Sequence, residues 1–395
     1  MDPIRNPYAP GAGTQPPELA GRDELREQVH ITIERVKIGR QAKSLMMIGL
    51  RGVGKTVLLD RMRLDAEANG SLCLRMEAPE GRSLPALLAP QVRQVLLRLS
   101  HVAAAKDLAQ RALAGLAGFA KALKVKYDDL EVGLDFEPEP GLADNGDLES
   151  DLQDLLEATG EAAKTANTAV VIFIDELQYV EEHQLGALIM AMHRIAQRNL
   201  PLVLVAAGLP QLPGRLGKAK SYAERLFDFP FIGPLNDRES AKAIVNPARE
   251  EGVEFDQDAV QLIFTRTQGY PYFLQEWGKH AWDAADSPPI TVADIELASQ
   301  TALAALDAGF FHVRFDRLTP KEKEYLRAMA EIGVGPHRSG DIAEHLGKSV
   351  QTLAPLRSNL IGKGMIWSPC HGDTAFTVPL FDQFMKRIMP RFPSS

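Results

Sequence analysis

The stretch that most limits what this chain can become is Ser44-Leu45-Met46-Met47-Ile48-Gly49-Leu50-Arg51-Gly52-Val53-Gly54-Lys55-Thr56. An apolar run enters a glycine-rich turn, the turn ends in Lys-Thr, and a helical pattern follows through Val57-Leu58-Leu59-Asp60-Arg61-Met62. The spacing is G-x-x-x-x-G-K-[ST], with Gly49, Gly54, Lys55 and Thr56 at the fixed positions. Glycines let the backbone curl until successive N–H groups converge on one phosphate, an approach that side chains would block. The helix that follows directs its positive end at the same point. Lys55 can then reach the β- and γ-oxygens of a nucleotide, and the Thr56 hydroxyl can hold Mg²⁺. Gly49, Leu50, Arg51, Gly52, Val53, Gly54, Lys55, Thr56 and Val57 are therefore expected to line a phosphate site.

A second stretch answers the first. Ala169-Val170-Val171-Ile172-Phe173-Ile174 is a continuous β-branched and aromatic run, the pattern of a strand buried on both faces, and it ends in Asp175-Glu176. After a phosphate loop, the first acid completes the Mg²⁺ shell and the second is placed to polarise a water for attack on the γ-phosphate. The plainer alternative, an acid pair capping a helix, loses weight because the phosphate loop precedes it.

Strand, helix and strand alternate from residue 44 to about 235, with Ser71–Glu77 and Leu202–Gly208 as further strands. That order predicts an α/β fold with a parallel sheet covered on both faces, of the P-loop NTPase kind. Ligands in such sheets lie at the carboxyl ends of the strands, where Gly49, Asp175, Glu176 and Gly208 all fall. Residues 84–122 read as mostly helix, with Pro90 as a candidate kink and Leu84, Leu88, Val92, Val95, Leu96 and Leu99 on one face. Residues 123–148 break the pattern: a hairpin over Lys124–Tyr127 and Glu131–Phe136, then an acidic loop, read as an exposed insertion.

After Pro234 the strands stop, and residues 237–250, 256–268, 271–285 and 291–307 read as four helices. Beyond Arg317, Thr319 and Pro320 open a helix, Ser339–Gly347 is a short one, and Ser349 caps a third over Val350–Lys363. A hairpin over 364–378 and a helix over Leu380–Met389 close the chain, which together describe a winged helix-turn-helix. The domains expected are an arm over 1–17, a nucleotide-binding core over 18–235, a helical lid over 236–307 and a winged domain over 308–395.

Composition sets the remaining bounds. The chain has 395 residues, 45% hydrophobic and 24% charged, which is ordinary for a soluble protein of two or three domains. No run is long enough to span a bilayer and the N-terminus lacks the apolar core of a signal peptide, so a cytoplasmic protein is expected. The two cysteines, Cys73 and Cys370, give neither a disulfide framework nor zinc spacing. Net charge is −8, yet residues 308–395 hold 5 Lys and 7 Arg against 8 acids. A basic tail on an acidic body points weakly to nucleic acid.

The ordered set resembles the AAA+ superfamily, and more narrowly the origin-recognition/initiator-type ATPases and their STAND-like relatives. Three motifs carry the narrower likeness. Leu19-Ala20-Gly21-Arg22-Asp23 is similar to the box that contacts adenine, which implies Leu19, Gly21 and Arg22 as base contacts. Arg225 in Tyr222-Ala223-Glu224-Arg225-Leu226-Phe227 is similar to the arginine before the last sheet strand, which implies a finger for a neighbouring subunit's site in a homo-oligomer. A surface arginine paired with an acid such as Asp228 is the competing reading. Gly269-Tyr270-Pro271 resembles the G-x-P motif of STAND lids, which implies a nucleotide contact for Pro271. Two departures bear on rate. The strand end Ala206-Ala207-Gly208 offers no polar side chain, and the residues around Tyr272 offer no arginine. A slow nucleotide switch fits better than a motor.

The chain is thus expected to bind ATP and ADP with Mg²⁺ and to hydrolyse ATP, with Lys55, Glu176 and Arg225 as catalytic groups and Thr56 and Asp175 on the metal. The winged domain is expected to associate with duplex DNA, as in an initiator or regulator, through Lys348, Gln351, Thr352 and Arg357 around its third helix. The alternative is a signalling ATPase whose winged domain is an autoinhibitory or protein-docking module.

Overall fold

A computed structural model describes residues 1–11, 13–79, 81–123 and 137–391. The hairpin expected over 124–136 lies outside the described residues. The chain forms two compact units. One comprises Arg22–Gly49 and Lys55–Ile232, and the other comprises Met1–Gly21, Leu50–Gly54 and Gly233–Ser395.

The first unit is built on a parallel sheet. Its elements run α1 (Asp23–Lys37), β1 (Ser44–Gly49), α2 (Lys55–Ala68), β2 (Leu72–Glu77), α3 (Leu84–Ser100), α4 (Lys106–Ala122), α5 (Leu148–Thr165), β3 (Val170–Asp175), α6 (Glu182–Gln197), β4 (Leu202–Gly208), α7 (Leu212–Ala219), α8 (Ala223–Leu226), β5 (Phe227–Asp228) and β6 (Phe231–Ile232). The strand order is β2-β3-β4-β1-β5, with β6 also on β1. Register explains the choice of residues. Ile48 lies opposite Gly208, and Ile174 opposite Ala206, so β1, β3 and β4 end on one edge. The strands β1, β3 and β4 are buried throughout, as the unbroken apolar runs require when helices cover both faces.

Two local expectations differ from what forms. The mostly helical stretch over 84–122 is two helices rather than one: α3 runs through Pro90 to Ser100, and a 3₁₀ turn over Ala103–Ala105 separates it from α4. The two helices pack on each other, which a single long helix cannot do. The described end of the acidic segment is also less open than expected. Ala143 is fully buried, and the Asn145 and Gly146 N–H groups each donate to the buried Asp151 carboxylate at 2.9 Å.

The second unit is helical, with a small sheet. It contains α9 (Asp237–Glu250), α10 (Gln257–Thr267), α11 (Pro271–Ala284) and α12 (Val292–Ala305), followed by a π-helical turn over Leu306–Phe311. Then come α13 (His312–Phe315), α14 (Pro320–Ile332), β7 (His337–Arg338), α15 (Ser339–His345), α16 (Val350–Gly362), β8 (Ile366–Trp367), β9 (Asp373–Phe376) and α17 (Phe381–Ile388). The small antiparallel sheet has the order β7-β9-β8. The start of α14 is fixed by a capping box: Thr319 Oγ1 accepts from the Glu322 N–H at 3.4 Å, and Glu322 Oε2 accepts from the Thr319 N–H at 2.7 Å. Among the described residues, no helix is long and apolar enough to cross a membrane.

Candidate functional site

The phosphate-loop geometry follows from its glycines. Gly52 has φ +81° and Gly54 φ +88°, which L side chains rarely adopt, so Leu50 to Gly54 can curl between β1 and α2. Nothing lies within 4 Å of where a Gly54 Cβ would stand, so this glycine is needed for its backbone angle. Lys55, in the first turn of α2, is buried and donates from Nζ to the Gly49 carbonyl at 3.0 Å. The ammonium is thus folded back over its own loop.

Asp175 ends β3 and is only 3% exposed. Burial pushes its carboxyl above the ordinary carboxylate range, and the Glu176 charge adds to that; the Thr56 hydroxyl, the Glu176 N–H and Lys55 work against it. The Glu176 N–H donates to Asp175 Oδ1 at 2.9 Å, and the Thr56 hydroxyl is near enough to the same carboxylate to favour its ionised form. A hydroxyl, a carboxylate and a nearby ammonium are therefore brought together, from motifs far apart in the chain. No group of three or more His, Cys, Asp or Glu among the described residues is disposed to hold a metal. The donor set nevertheless fits Mg²⁺, a hard cation that takes one or two protein oxygens and fills its shell from phosphates and water.

Glu176 has left-handed backbone angles, φ 53° and ψ 36°, which turn its side chain away from the continuing strand direction. Its carboxylate accepts from Gln178 Nε2. Gln178 Oε1 in turn accepts from the Leu209 N–H at 3.0 Å, just beyond the end of β4, and this bond fixes which way the amide points. Sequence reasoning missed Gln178. It supplies the polar group that Ala206-Ala207-Gly208 lacks, from a 3₁₀ turn after the acid pair rather than from β4 itself. An amide in a short turn carries no periodic signal that would have marked it.

Leu50 to Gly54 belong to the second unit, and their neighbours within it lie around the start of α11. Gly269, with φ +69°, stands where a Cβ would meet the Leu235 carbonyl oxygen at 2.0 Å, so only glycine fits. It turns the chain into α11, which begins at Pro271. The Tyr272 N–H donates to the Gly52 carbonyl at 3.4 Å. The buried Tyr270 hydroxyl donates to the Arg51 carbonyl and also lies 3.3 Å from the Thr377 carbonyl. Burial pushes the Tyr270 phenol far above its usual range, so it stays a donor. A Cβ on Gly52 would meet the Tyr270 ring at 2.8 Å, a second reason for glycine there. Tyr270 therefore spans two backbones, one in the loop and one just after β9. Pattern reading singled out its neighbours in the G-x-P motif and passed over the tyrosine.

Other expected residues are scattered. Leu19 and Gly21 belong to the second unit, and Gly21 has φ +67°. Arg22 opens α1 half-buried, and burial lowers its guanidinium pKa. Arg225 lies exposed in α8 with no ion pair among the described residues, while Asp228 pairs instead with Lys43 at 3.4 Å. Around α16, Gln351 and Thr352 are exposed, and Lys348 is paired with Glu324 at 3.6 Å. Arg357 is committed to the hairpin: Nε donates to Thr374 Oγ1 at 2.8 Å, and Nη2 to the Asp373 carbonyl at 2.7 Å and Ser368 Oγ at 2.9 Å. Lys363 is tied to the buried Glu322 at 2.7 Å.

Comparison with known proteins places this geometry. Residues 308–385 match a domain of unknown function. An uncharacterized HTH-type transcriptional regulator of Methanocaldococcus jannaschii is 25% identical over 240 residues, 58% of this chain. The chain spans about half, 56%, of that relative's length. The Walker-type ATPase of Pyrococcus abyssi superposes with a TM-score of 0.60 at 15% identity, over 94% of this chain and 97% of that one. At that identity the likeness speaks to the fold alone. The Aeropyrum pernix ORC1 protein, solved in complex with DNA, covers 94% of each chain at 15% identity with a TM-score of 0.46, too low to carry an argument. The match that decides is over residues 18–205, which fit the family described as the AAA ATPase domain and take in both the phosphate loop and the acid pair. The parallel sheet and the Lys55, Thr56 and Asp175 side chains fall on the same residues, so this part of the chain is similar to the AAA ATPase domain in sequence as well as in fold.

Proposed function

We propose that the protein is an ATP-binding, Mg²⁺-dependent ATPase that works as a slow nucleotide switch. The observation that carries this reading is buried Asp175 at the end of β3, its Oδ1 held by the Glu176 N–H, with Thr56 and Lys55 of the phosphate-loop motif near enough to favour its ionised form. N–H groups of Leu50 to Gly54 donate to the β-phosphate, and Lys55 leaves the Gly49 carbonyl to draw β- and γ-phosphate charge. Thr56 and Asp175 hold Mg²⁺, which when bound neutralises phosphate charge and orients the terminal phosphate for in-line attack. Glu176 orients the attacking water, with one carboxylate oxygen occupied by the Gln178 amide. That hydrogen bond and the apolar end of β4 favour slow turnover. Leu19, Gly21, Arg22 and Pro271 are the proposed contacts to the adenine end. Arg225, exposed and without an ion pair among the described residues, is the proposed contribution to the site of a neighbouring copy.

The switch output runs through the second unit. Tyr270 spans the Arg51 and Thr377 carbonyls, so a change in the loop on phosphate binding or release is felt directly after β9. This favours the C-terminal region as a docking module whose seat depends on the nucleotide.

The test is Glu176→Gln in the full chain. Phosphate release should fall by about 10²-fold or more while ATP affinity stays near that of the parent. Hydrolysis at the parent rate would remove Glu176 from the mechanism.

A second reading, association with duplex DNA, is favoured by the exposed Gln351 and Thr352 on α16 and by the HTH-type name of the curated relative. An exposed pair such as Lys348–Glu324 is worth about 0–1 kcal/mol and can be exchanged for a phosphate. Binding that weakens steeply with salt supports this reading; a full chain that retards no duplex even at low salt eliminates it.

A further inference from the structure

Arg314 sits in α13, at the junction between the four-helix region and the C-terminal region. Its guanidinium carbon lies 3.7 Å from the centroid of the Phe310 ring. Phe310 stacks on Tyr272 at 4.8 Å and 23°, and the Tyr272 N–H is the group that donates to Gly52 of the phosphate loop. Arg314 is therefore set on an aromatic layer against the loop apex. One nitrogen, Nη1, donates to the Phe310 carbonyl at 2.6 Å, while Nε is buried with no hydrogen-bond partner. Among the described residues no carboxylate pairs with it. It is instead close enough to two other cations, Arg51 and Arg317, to be repelled by both. Burial first and the Arg51 charge second lower its pKa to about 10.

A largely desolvated guanidinium beside a second one is an expensive arrangement unless an anion completes it. Guanidinium pairs match the geometry of phosphate oxygens, with parallel N–H donors. We propose that Arg314, together with Arg51, binds the phosphates of the nucleotide seated on the Leu50–Gly54 loop and gives the site its preference for a triphosphate over a diphosphate. This rests on the reading of that loop as a nucleotide site.

The test is calorimetric titration of the full chain with ATP and with ADP, in Mg²⁺, for the parent, Arg314→Gln, Arg314→Lys and Lys55→Ala. Arg314→Gln should bind ATP about ten-fold or more weakly, and ADP distinctly less affected, so the ATP-to-ADP preference shrinks. Arg314→Lys keeps the charge without the fork and should recover part of the loss. Melting of Arg314→Gln without nucleotide should occur at or above the parent temperature, since an uncompensated cation is gone; a lower melting temperature would mean the guanidinium serves the fold instead. Unchanged ATP and ADP affinities in Arg314→Gln, alongside lost binding in Lys55→Ala, overturn the proposal and leave the loop reading intact. Full binding by Lys55→Ala overturns the loop reading and the proposal with it.

Discussion

Asp175 holds the sharpest conflict of any single residue in the site. It must be ionised to serve a cation, yet it is buried with an acid next to it, and both raise its pKa. A folded-state pKa above the unfolded value means the native state binds more protons in the window between the two. Stability of the nucleotide-free protein therefore falls as pH rises through that window. Asp175→Asn removes this term and keeps an acceptor for the Thr56 hydroxyl. The variant is expected to melt at a higher temperature than the parent at neutral pH, without nucleotide, and to have lost Mg²⁺-dependent hydrolysis. A lower melting temperature with intact packing would contradict the electrostatic account of this residue. Lys55, Thr56 and Asp175 were legible because the residue types and spacings have one chemical use. Gln178 and Tyr270 were not, since each owes its place to a partner that only the tertiary fold brings near.

At the scale of elements, the alternation of apolar runs with helical periodicity was enough to place β1, β3 and β4 and the helices between them. The end of α3 was not readable. His101-Val102-Ala103-Ala104-Ala105 contains no glycine or proline, so nothing local announces the break. The break exists because α3 and α4 pack side by side, and tertiary contact overrides propensity there. Glycine, by contrast, was informative where the backbone turns into α11. Gly269→Ala would force a Cβ against the Leu235 carbonyl and hold alanine at positive φ. It should destabilise the protein by about 1–3 kcal/mol, read as a lower urea midpoint. An unchanged midpoint would mean this turn can relax without cost. The start of α14 was equally legible, because Thr319 caps it and Pro320 stands in its first turn as expected, and Glu322 adds the other half of a capping box.

At the scale of the whole molecule, the elements follow one another in the order the sequence suggests: the strands and helices of the parallel sheet, the four helices α9 to α12, then α14, α15 and α16 and the β8–β9 pair. What the sequence could not reveal is that Leu50 to Gly54 keeps company with residues more than 200 positions later, through Tyr270 and Tyr272. Contacts of that separation leave no trace in local pattern. The charge bookkeeping also changes meaning in three dimensions. Arg357 and Lys363 count towards the basic tail, yet they hold β9 and α14 in place.

The central claim is that the loop around residue 52 and the buried acid at 175 together hold a nucleoside triphosphate with Mg²⁺. Calorimetry of the full chain with ATP and Mg²⁺, parent against Lys55→Ala, tests it most directly. The account predicts saturable one-site binding by the parent and a loss of about ten-fold or more in the variant, the scale of one charge-assisted contact. Equal affinity in the two proteins would contradict it.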